Sequence, residues 1–280
     1  MILVIGGGSR TGRELIRLLR ADGLPVRALV RTTEPAANGV DTVEGDLATP
    51  ATLDRAMDGV DKVFVLGPAH HDETAWYRNA IDAAARANVG HLVASSILGA
   101  DPASPAPFVR HHGQADSHLQ ASGLPWTILR PNMYMHNVTS LWPPTIGPDG
   151  NYYAPAGDAR ISMVDARDVA AVAAQVLTDD GHAGQAYDLT GPQALTTAEA
   201  CGQLGTHLGR PVHYVEVDDE TARGAMLGAG LQRWMADALI ELYRDYRRSG
   251  QDGYAAQLHD GVRAVTGHAP RTLAQALADA

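Results

Sequence analysis

The chain has 280 residues, enough to bury a large core either as one domain or as a larger and a smaller lobe. Its formal net charge of −10 argues against a general affinity for nucleic acid or for an anionic membrane. Cys201 is the single cysteine, which excludes an intramolecular disulfide and a thiolate metal cluster. No apolar run has transmembrane length, and the first residues are typical of a strand rather than a signal peptide, so we expect a soluble cytoplasmic protein.

The first nineteen residues predict a strand, a glycine turn and a helix in that order. Ile2 to Ile5 is a short apolar run rich in β-branched residues, as expected for a strand buried on both faces. Gly6 to Gly12 contains four glycines, and Arg13 to Leu19 has a helical pattern. This order is the context in which a glycine loop binds a diphosphate at the positive end of a helix.

Each position in this loop has an expected role. Gly6 makes the tight turn, Gly8 and Ser9 face the phosphates, and Gly12 lets the helix pack on the strand. Arg10 and Thr11 complete the predicted phosphate site. The alternative is a strand-to-helix turn that binds nothing.

The second predicted strand, Val26 to Val30, is followed by Arg31. In dinucleotide-binding folds an acidic residue near this point binds the ribose 2′-hydroxyl, whereas an arginine accommodates a 2′-phosphate. Arg31 together with Arg10 therefore favours NADP over NAD. The alternative is that both arginines are solvated surface residues.

Three more residues are predicted to contact the cofactor along the next two strands. Asp46 and Leu47 end the strand that starts at Asp41, where Asp46 can accept from an adenine amino group and Leu47 can pack on the ring. Asp46 is equally consistent with a helix cap or a turn. The strand Lys62 to Leu66 leads to Gly67, which allows close approach of the cofactor ribose.

The chain keeps alternating between helices and strands up to residue 130. Helices are predicted over Glu73 to Asn88 and Phe108 to Ala121, and strands over His91 to Ser95 and Trp126 to Arg130. Ligands of open α/β sheets bind beyond the carboxyl ends of the strands. We therefore expect Ser95 and Ser96 to face the same crevice as the glycine loop.

Beyond Pro131 the alternation stops and an aromatic, methionine-rich stretch begins. This mixture, interrupted by prolines and glycines, suits an adaptable apolar pocket for a flat ring. Tyr134 or His136 could supply a proton, although ordinary packing is the alternative for either residue. The predicted substrate residues are Asn132, Tyr134, Asn137, Trp142 and Tyr152.

The C-terminal part is predicted to be a substrate lobe. We divide the chain into residues 1–155, mainly the nucleotide-binding domain, and residues 156–280, mainly the lobe, with a segment near 161–190 returning to the sheet. The segment 219–249 carries an apolar face at helical spacing, typical of core or of a dimer contact. Histidines 70–71 and 111–112 are adjacent pairs whose rings should point apart, so no metal site is predicted.

Several of these segments together resemble the NmrA-like atypical short-chain dehydrogenase/reductases, the group of quinone oxidoreductase 2 and triphenylmethane reductase. The resemblance spans nearly the whole chain. It implies a doubly wound Rossmann α/β fold with a parallel sheet, NADPH as cofactor and a small aromatic or conjugated substrate. The segments that carry it are residues 6–12, 26–31, 45–47, 122–131, 165–170, 187–192 and 266–272.

Two departures from that group affect the predicted chemistry. The group usually has glycine where this chain has Ser9. The tyrosine and lysine of classical members fall on Phe108 and His112, and phenylalanine cannot donate a proton. His112 could bind the nicotinamide ribose or deliver a proton, or it could be an exposed helix residue.

The candidate residues follow from these patterns and from the resemblance. The catalytic candidates are His112, Tyr134 and Ser96. The cofactor-binding candidates are Gly6, Gly8, Ser9, Arg10, Thr11, Gly12, Arg31, Asp46, Leu47, Leu66, Gly67, Ser95 and His112.

The main hypothesis is an NADPH-dependent reductase that transfers hydride to a quinone or a similar conjugated acceptor, as a monomer or homodimer. Such acceptors need no strong general acid during hydride transfer, because the resulting charge is delocalised. The alternatives are a non-catalytic NADP(H)-sensing protein and a biosynthetic enzyme that uses the same fold for another reaction.

Overall fold

The computed structural model describes residues 1–32 and 40–280. Its strands are β1 (Ile2–Ile5), β2 (Val26–Val30), β3 (Asp41–Glu44), β4 (Lys62–Val65), β5 (His91–Ser95), β6 (Trp126–Pro131), β7 (Asn151–Ala154), β8 (Arg160–Ile161), β9 (Gln185–Leu189), β10 (Leu195–Thr196) and β11 (His213–Glu216). Its α-helices are α1 (Arg10–Ala21), α2 (Pro50–Ala56), α3 (Glu73–Arg86), α4 (Pro107–Ala121), α5 (Ala166–Thr178), α6 (Thr197–Leu208), α7 (Asp219–Gly228), α8 (Arg233–Ser249), α9 (Gly261–Thr266) and α10 (Leu273–Ala278).

Within the described residues, seven strands form the central sheet in the order β3-β2-β1-β4-β5-β6-β9. The registers pair Ile2 with Val26 on one side of β1 and with Lys62 on the other, and both pairings are parallel. The order of the strands reverses between β1 and β4, which is where ligands of doubly wound sheets bind. The predicted Rossmann α/β fold is confirmed.

The chain divides into two compact units. Unit 1 comprises Met1–Ala103, Arg110–Arg130 and Ala166–Tyr187, and unit 2 comprises Ser104–Val109, Pro131–Asp165 and Asp188–Ala280. Most of the central sheet lies in unit 1, whose core combines apolar residues of β1, β4 and β5 with residues of α2, α3 and α4. The continuous apolar runs of these strands are explained by their burial on both faces.

Unit 2 has its own core and two small sheets. β8 pairs with β10 in antiparallel orientation, and β7 pairs with β11 in parallel. The Trp142 and Tyr152 rings stack at 4.3 Å between centroids inside this core. A short π-helix, Asn137–Leu141, precedes a 3₁₀ turn at Pro143–Thr145, and a second 3₁₀ turn covers Tyr254–Ala256.

The segment 219–249 is not one continuous helix. It forms α7 and α8, and Gly230 between them has φ +89°, a left-handed conformation that ends a right-handed helix. Gly228 and Gly230 are the sequence signal for this break, which the apolar spacing on either side obscured.

Among the described residues, no helix is both long and apolar enough to cross a membrane.

Leu119 offers a direct test of the unit 1 core. Its side chain is fully buried in the cluster formed by α4 and the central sheet. Leu119→Ala should lower the free energy of unfolding by about 2–5 kcal/mol, because it leaves a cavity. The control is Leu258→Ala, at a side chain that is 57 % exposed. Denaturant unfolding should show little change in the control, and an equal loss in both variants would contradict the assigned core.

Candidate active site

Backbone contacts that only glycine permits shape the turn after β1. Gly6 has φ +87°, and a Cβ at this position would lie 2.2 Å from the carbonyl oxygen of Leu66. A Cβ on Gly12 would lie 2.2 Å from the carbonyl oxygen of Gly6. The turn therefore packs its own backbone against α1 on one side and against the end of β4 on the other.

The same turn leaves one face open beside the N-terminus of α1. Gly8 is exposed, and a Cβ there would meet no atom within 4 Å. Ser9 caps the helix, since its Oγ accepts a 2.9 Å hydrogen bond from the Gly12 N–H. The hydroxyl still has its own proton to donate. Backbone at a helix N-terminus without an obstructing side chain is what a diphosphate requires, so the loop fits a dinucleotide.

The structure redistributes some roles that the sequence suggested within this loop. The Gly12 N–H is used by the Ser9 cap, and the Thr11 side chain is buried. Arg13, which the sequence reading left out, donates from its guanidinium to the Gly8 carbonyl at 2.7 Å. Phosphate contacts in the proposal below therefore rest on Gly8, Ser9 and Arg10.

Arg31, Asp46 and Leu47 lie at the far end of the predicted cofactor site. Arg31 is exposed directly after β2, as a 2′-phosphate contact would have to be. Asp46 forms a turn, because its Oδ1 accepts from the Ala48 N–H at 2.9 Å. Leu47 belongs to the unit 1 core, and its carbonyl accepts from the Asn79 amide at 2.8 Å. The turn alternative for Asp46 is thus the one that the hydrogen bonds support.

Tyr77 connects the ends of β4 and β5. Its hydroxyl donates to the Ser95 carbonyl at 2.7 Å and accepts from the Gly67 N–H at 3.0 Å. A Cβ on Gly67 would lie 2.8 Å from the Tyr77 ring. Gly67 is therefore required by the Tyr77 ring, and its N–H is already engaged, which differs from the ribose role expected from the sequence.

Ser95 and Ser96 are buried at the end of β5. Next to them, Asp116 of α4 forms an ion pair with Arg130 at 3.1 Å. Burial raises the pKa of Asp116, while the Ser96 hydroxyl and the Arg130 guanidinium oppose that rise. Ser96 therefore lies beside a buried carboxyl, and its catalytic role remains a prediction.

A buried carboxyl and two histidines meet where α3 starts beside α4. The Glu73 Oε1 lies 3.4 Å from His112 Nε2, and Oε2 lies 3.9 Å from His111 Nδ1. The Glu73 side chain is only 3 % exposed and that of His112 13 % exposed. The His112 ring also contacts the edge of Tyr77, with 5.5 Å between centroids. His112 is thus partly buried, unlike the exposed alternative considered from the sequence.

Burial keeps both partners neutral near pH 7. It raises the pKa of Glu73 to about 8 and, with a contribution from His111, lowers the pKa of His112 to about 4. His111 shifts in the same direction as His112, through burial and through the positive charges of Arg110 and His71. The pair is therefore a carboxylic acid beside a neutral imidazole rather than an ion pair.

The adjacent rings of His70 and His71 do not point apart. Their centroids are 4.0 Å from each other, and His70 also stacks on Trp76 at 4.0 Å. The sequence expectation was wrong here because these residues lie in the loop after β4, where the helical and strand spacing rules do not apply. The predicted absence of a metal stays a prediction.

The predicted substrate residues all lie in unit 2, and three of them are buried in structural contacts within it. Trp142 and Tyr152 stack inside its core. Asn132 is buried and donates to Ser162 Oγ at 2.9 Å and to the Ala255 carbonyl at 2.8 Å. We therefore leave these three residues out of the proposed substrate contacts.

Tyr134 and Asn137 remain as candidates. The Tyr134 ring stacks on His136 with 5.0 Å between centroids, and Asn137 begins the π-helix. Such helices are rare and frequently mark functional sites. Leu141 at the other end of this turn is 60 % exposed, an apolar surface that a flat ligand can cover.

Sequence reasoning missed Glu73 and Tyr77. A glutamate and a tyrosine four residues apart are ordinary residues of an amphipathic helix, so the local pattern gave no signal. Their significance appears only when β4 and β5 pair and bring α3 against α4.

The protonated state of Glu73 predicts how stability depends on pH. Its pKa is about 8 in the folded protein and near 4.5 when unfolded, so its stabilising contribution is complete below pH 4.5 and is lost as the pH rises through about 8. Glu73→Gln removes this loss. At pH 9 it should be more stable than the wild type by at least about 1 kcal/mol.

Thermal unfolding of both proteins from pH 5 to pH 9 measures the effect. Glu220→Gln, at an exposed position in the first turn of α7, is the matched control and should follow the wild type at every pH. A constant difference between Glu73→Gln and wild type across the range would contradict a buried protonated carboxyl.

Comparison with known proteins identifies the family. A family model described as NAD(P)H-binding matches residues 6–180. The chain is 43 % identical over 279 residues to NAD(P)H azoreductase of Xenophilus azovorans, covering 98 % of this chain and 96 % of that protein. It is 29 % identical over 248 residues to quinone oxidoreductase 2 of Escherichia coli (strain K12), covering 86 % of each.

Solved structures agree with this result. The NADPH-dependent quinone oxidoreductase of E. coli in complex with NADPH matches with a TM-score of 0.87 and 27 % identity, over 100 % of this chain and 99 % of that one. NmrA, a negative transcriptional regulator, matches with a TM-score of 0.78 at 22 % identity over 99 % and 94 % of the two chains, a likeness of fold. The chain therefore belongs to the NAD(P)H-binding family of NmrA-like atypical short-chain dehydrogenase/reductases and is an NAD(P)H-dependent reductase.

Proposed function

We propose that this protein uses NADPH to reduce a conjugated small molecule, either a quinone or an azo compound. The observation that carries the proposal is the open glycine face at Gly8 beside the capped N-terminus of α1, which fits a dinucleotide diphosphate. The acceptor class is supported by the names of two relatives, an azoreductase and a quinone oxidoreductase.

The cofactor's two ends depend on different residues. When bound, NADPH supplies the hydride. Gly8, Ser9 and Arg10 bind its diphosphate, and the exposed guanidinium of Arg31 pairs with the 2′-phosphate, whose charge and geometry suit a planar fork of donors. Ser95 and Leu66 border the nicotinamide side, because they lie at the ends of β5 and β4 next to the glycine turn.

The acceptor is proposed to contact unit 2 at the π-helix. Tyr134 and Asn137 offer a hydroxyl and an amide, and exposed Leu141 offers apolar surface. Quinones and azo compounds are flat and carry polar atoms at fixed positions, which matches such a mixture. Specificity for one acceptor would come from these side chains.

Proton transfer proceeds without the tyrosine of classical members, because Phe108 stands at that position. The charge that hydride transfer leaves on a quinone is delocalised over the ring, so protonation can follow the hydride step. Hydride transfer to an azo bond leaves a nitrogen anion whose charge is less delocalised, so this intermediate needs a nearby proton source. His112 is the partly buried group proposed to provide it.

Two glycine variants separate cofactor binding from folding. Gly8→Ala should preserve the melting temperature, because the added Cβ meets no atom, and should weaken NADPH binding by about 10-fold by obstructing the diphosphate. Gly12→Ala should lower both stability and NADPH affinity, because its Cβ would collide with the Gly6 carbonyl. Fluorescence titration and thermal unfolding measure the two effects. Unchanged NADPH affinity in Gly8→Ala would contradict the proposed diphosphate site.

Arg31→Ala tests the preference for NADPH. Loss of a charge-assisted contact to the 2′-phosphate should weaken NADPH binding by roughly 10-fold or more and leave NADH binding unchanged. Arg55→Ala, at another exposed arginine, should alter neither affinity. If Arg31→Ala binds NADPH as tightly as the wild type, the 2′-phosphate assignment is wrong.

The deciding experiment measures NADPH oxidation at 340 nm with panels of quinones, azo dyes and simple ketones. Turnover with quinones or azo dyes and not with ketones is expected. Turnover restricted to ketones would overturn the acceptor class. Tight NADPH binding without oxidation by any acceptor would instead favour the sensing alternative.

A further inference from the structure

In the described part of the chain, the Glu73 carboxyl is buried without the cation or backbone N–H partners that usually accompany a buried carboxylate. It is almost completely buried, its Oε1 faces His112 Nε2 at 3.4 Å, and its Oε2 has no hydrogen-bond partner among the described residues. A buried polar atom without a partner is costly and calls for an explanation, of which a catalytic role is one. A purely structural carboxyl would be expected to cap a helix or to pair with a cation.

His112 has the complementary arrangement. One ring nitrogen, Nε2, faces the carboxyl, and the other, Nδ1, is buried with no hydrogen-bond partner among the described residues. An imidazole in this state can accept a proton at one nitrogen while it releases a proton from the other. The His112 ring is thus built to pass a proton onward from Glu73.

The pair lies at the edge of unit 1 where the proposed cofactor residues end. Glu73 begins α3 after the loop that leaves β4, and the Tyr77 ring links His112 to Gly67 and to the Ser95 carbonyl. Ligands of this fold bind beyond these strand ends. The Glu73–His112 pair and the proposed nicotinamide site therefore lie at the same edge of the sheet.

The titratable groups near Glu73 do not offset the effect of burial on its carboxyl. His111 also faces this carboxyl, with Nδ1 at 3.9 Å from Glu73 Oε2, and its pKa is lowered by burial, Arg110 and His71. Burial is the cause that raises the pKa of Glu73. The carboxyl therefore holds its proton near neutral pH.

We propose that Glu73 stores the proton consumed by the reduction and passes it through the His112 imidazole to the reduced acceptor. The inference rests on the proposed function. Glu73 is a positioning residue in this scheme, because it acts through His112, and it also holds His112 in the tautomer that carries the proton on Nδ1.

The atoms and electrons balance in one relay. After the acceptor has taken the hydride, its negatively charged oxygen or nitrogen forms a bond to the Nδ1 proton, and the Nδ1–H bond breaks. The Nε2 lone pair takes the proton from Glu73 Oε1, which leaves a carboxylate. Afterwards a proton from solvent bonds to Nδ1, and Nε2 returns its proton to the Glu73 carboxylate. Both groups are then restored, and each turnover consumes one hydride and one proton.

Glu73→Gln tests the relay, since the amide preserves the shape and cannot release a proton. We expect kcat to fall by at least about 10-fold with an azo acceptor, while the NADPH affinity and the acceptor KM stay unchanged. The wild-type kcat should decline as the pH rises through about 8, and this decline should be absent in Glu73→Gln. A purely structural role would not remove that pH dependence.

Two further variants complete the kinetic test. Glu220→Gln should behave as the wild type. His112→Gln should lose the same pH dependence, and the double variant with Glu73→Gln should be no slower than His112→Gln alone, because the two residues act in one path. Additive losses would overturn the relay. His112→Gln also serves if Glu73→Gln folds poorly.

Infrared titration of the resting protein gives a readout independent of turnover. A carboxylic acid C=O band that is present at pH 7, disappears as the pH rises through about 8 and is missing from Glu73→Gln is expected. A Glu73 that is already ionised at pH 6 would overturn the inference. If the wild type oxidises NADPH with none of the acceptors tested, the proposed function fails. If wild-type turnover is intact and Glu73→Gln is equally fast, only the relay fails.

Discussion

The arrangement of unit 1 depends on how closely three pieces of backbone approach one another at the end of β1. Gly6 turns beneath the Leu66 carbonyl, and Gly12 packs against the Gly6 carbonyl, at separations that leave no room for a Cβ. These contacts fix the N-terminus of α1 next to the end of β4. A helix terminus held in this position offers its N–H groups to an anion without a further conformational change, so binding avoids an entropic cost.

A second feature of the same edge is the contrast between two buried carboxyls, those of Asp116 and Glu73. Asp116 has an arginine partner, whereas the ion-pairing side chains found near Glu73 in the described part of the chain are His111 and His112. Burial raises the pKa of both carboxyls, but the Ser96 hydroxyl and the Arg130 guanidinium oppose the rise only at Asp116.

The local parts of this site could be predicted from the sequence. The glycine loop, its helix and the position of Arg31 are separated by a few residues each, and their spacing reflects backbone geometry directly. The Glu73–His112 contact joins residues far apart in the chain, and it depends on the parallel pairing of β4 with β5. The Asn132 amide donates to the Ala255 carbonyl, 123 positions away. Because this partner is so distant in the sequence, the structural role of Asn132 could not be distinguished from a ligand-binding role.

Aromatic residues posed a different difficulty. Trp142 and Tyr152 have the composition expected of a pocket for a flat ring, yet they stack on each other in the unit 2 core. The same apolar area stabilises a ring whether it belongs to a ligand or to the protein, so residue type cannot distinguish the two cases. Only the observed burial of both rings resolved the question.

The contact between Gly67 and Tyr77 restricts how this region can change during evolution. The Tyr77 ring fills the space that a side chain at position 67 would need, and its hydroxyl binds both the Gly67 N–H and the Ser95 carbonyl. A larger residue at position 67 is compatible only with a smaller one at position 77, and that exchange would deprive Ser95 of its donor. Positions 67 and 77 should therefore vary together among related sequences, whereas position 95 contributes only its backbone carbonyl to the contact and is not bound by this pairing.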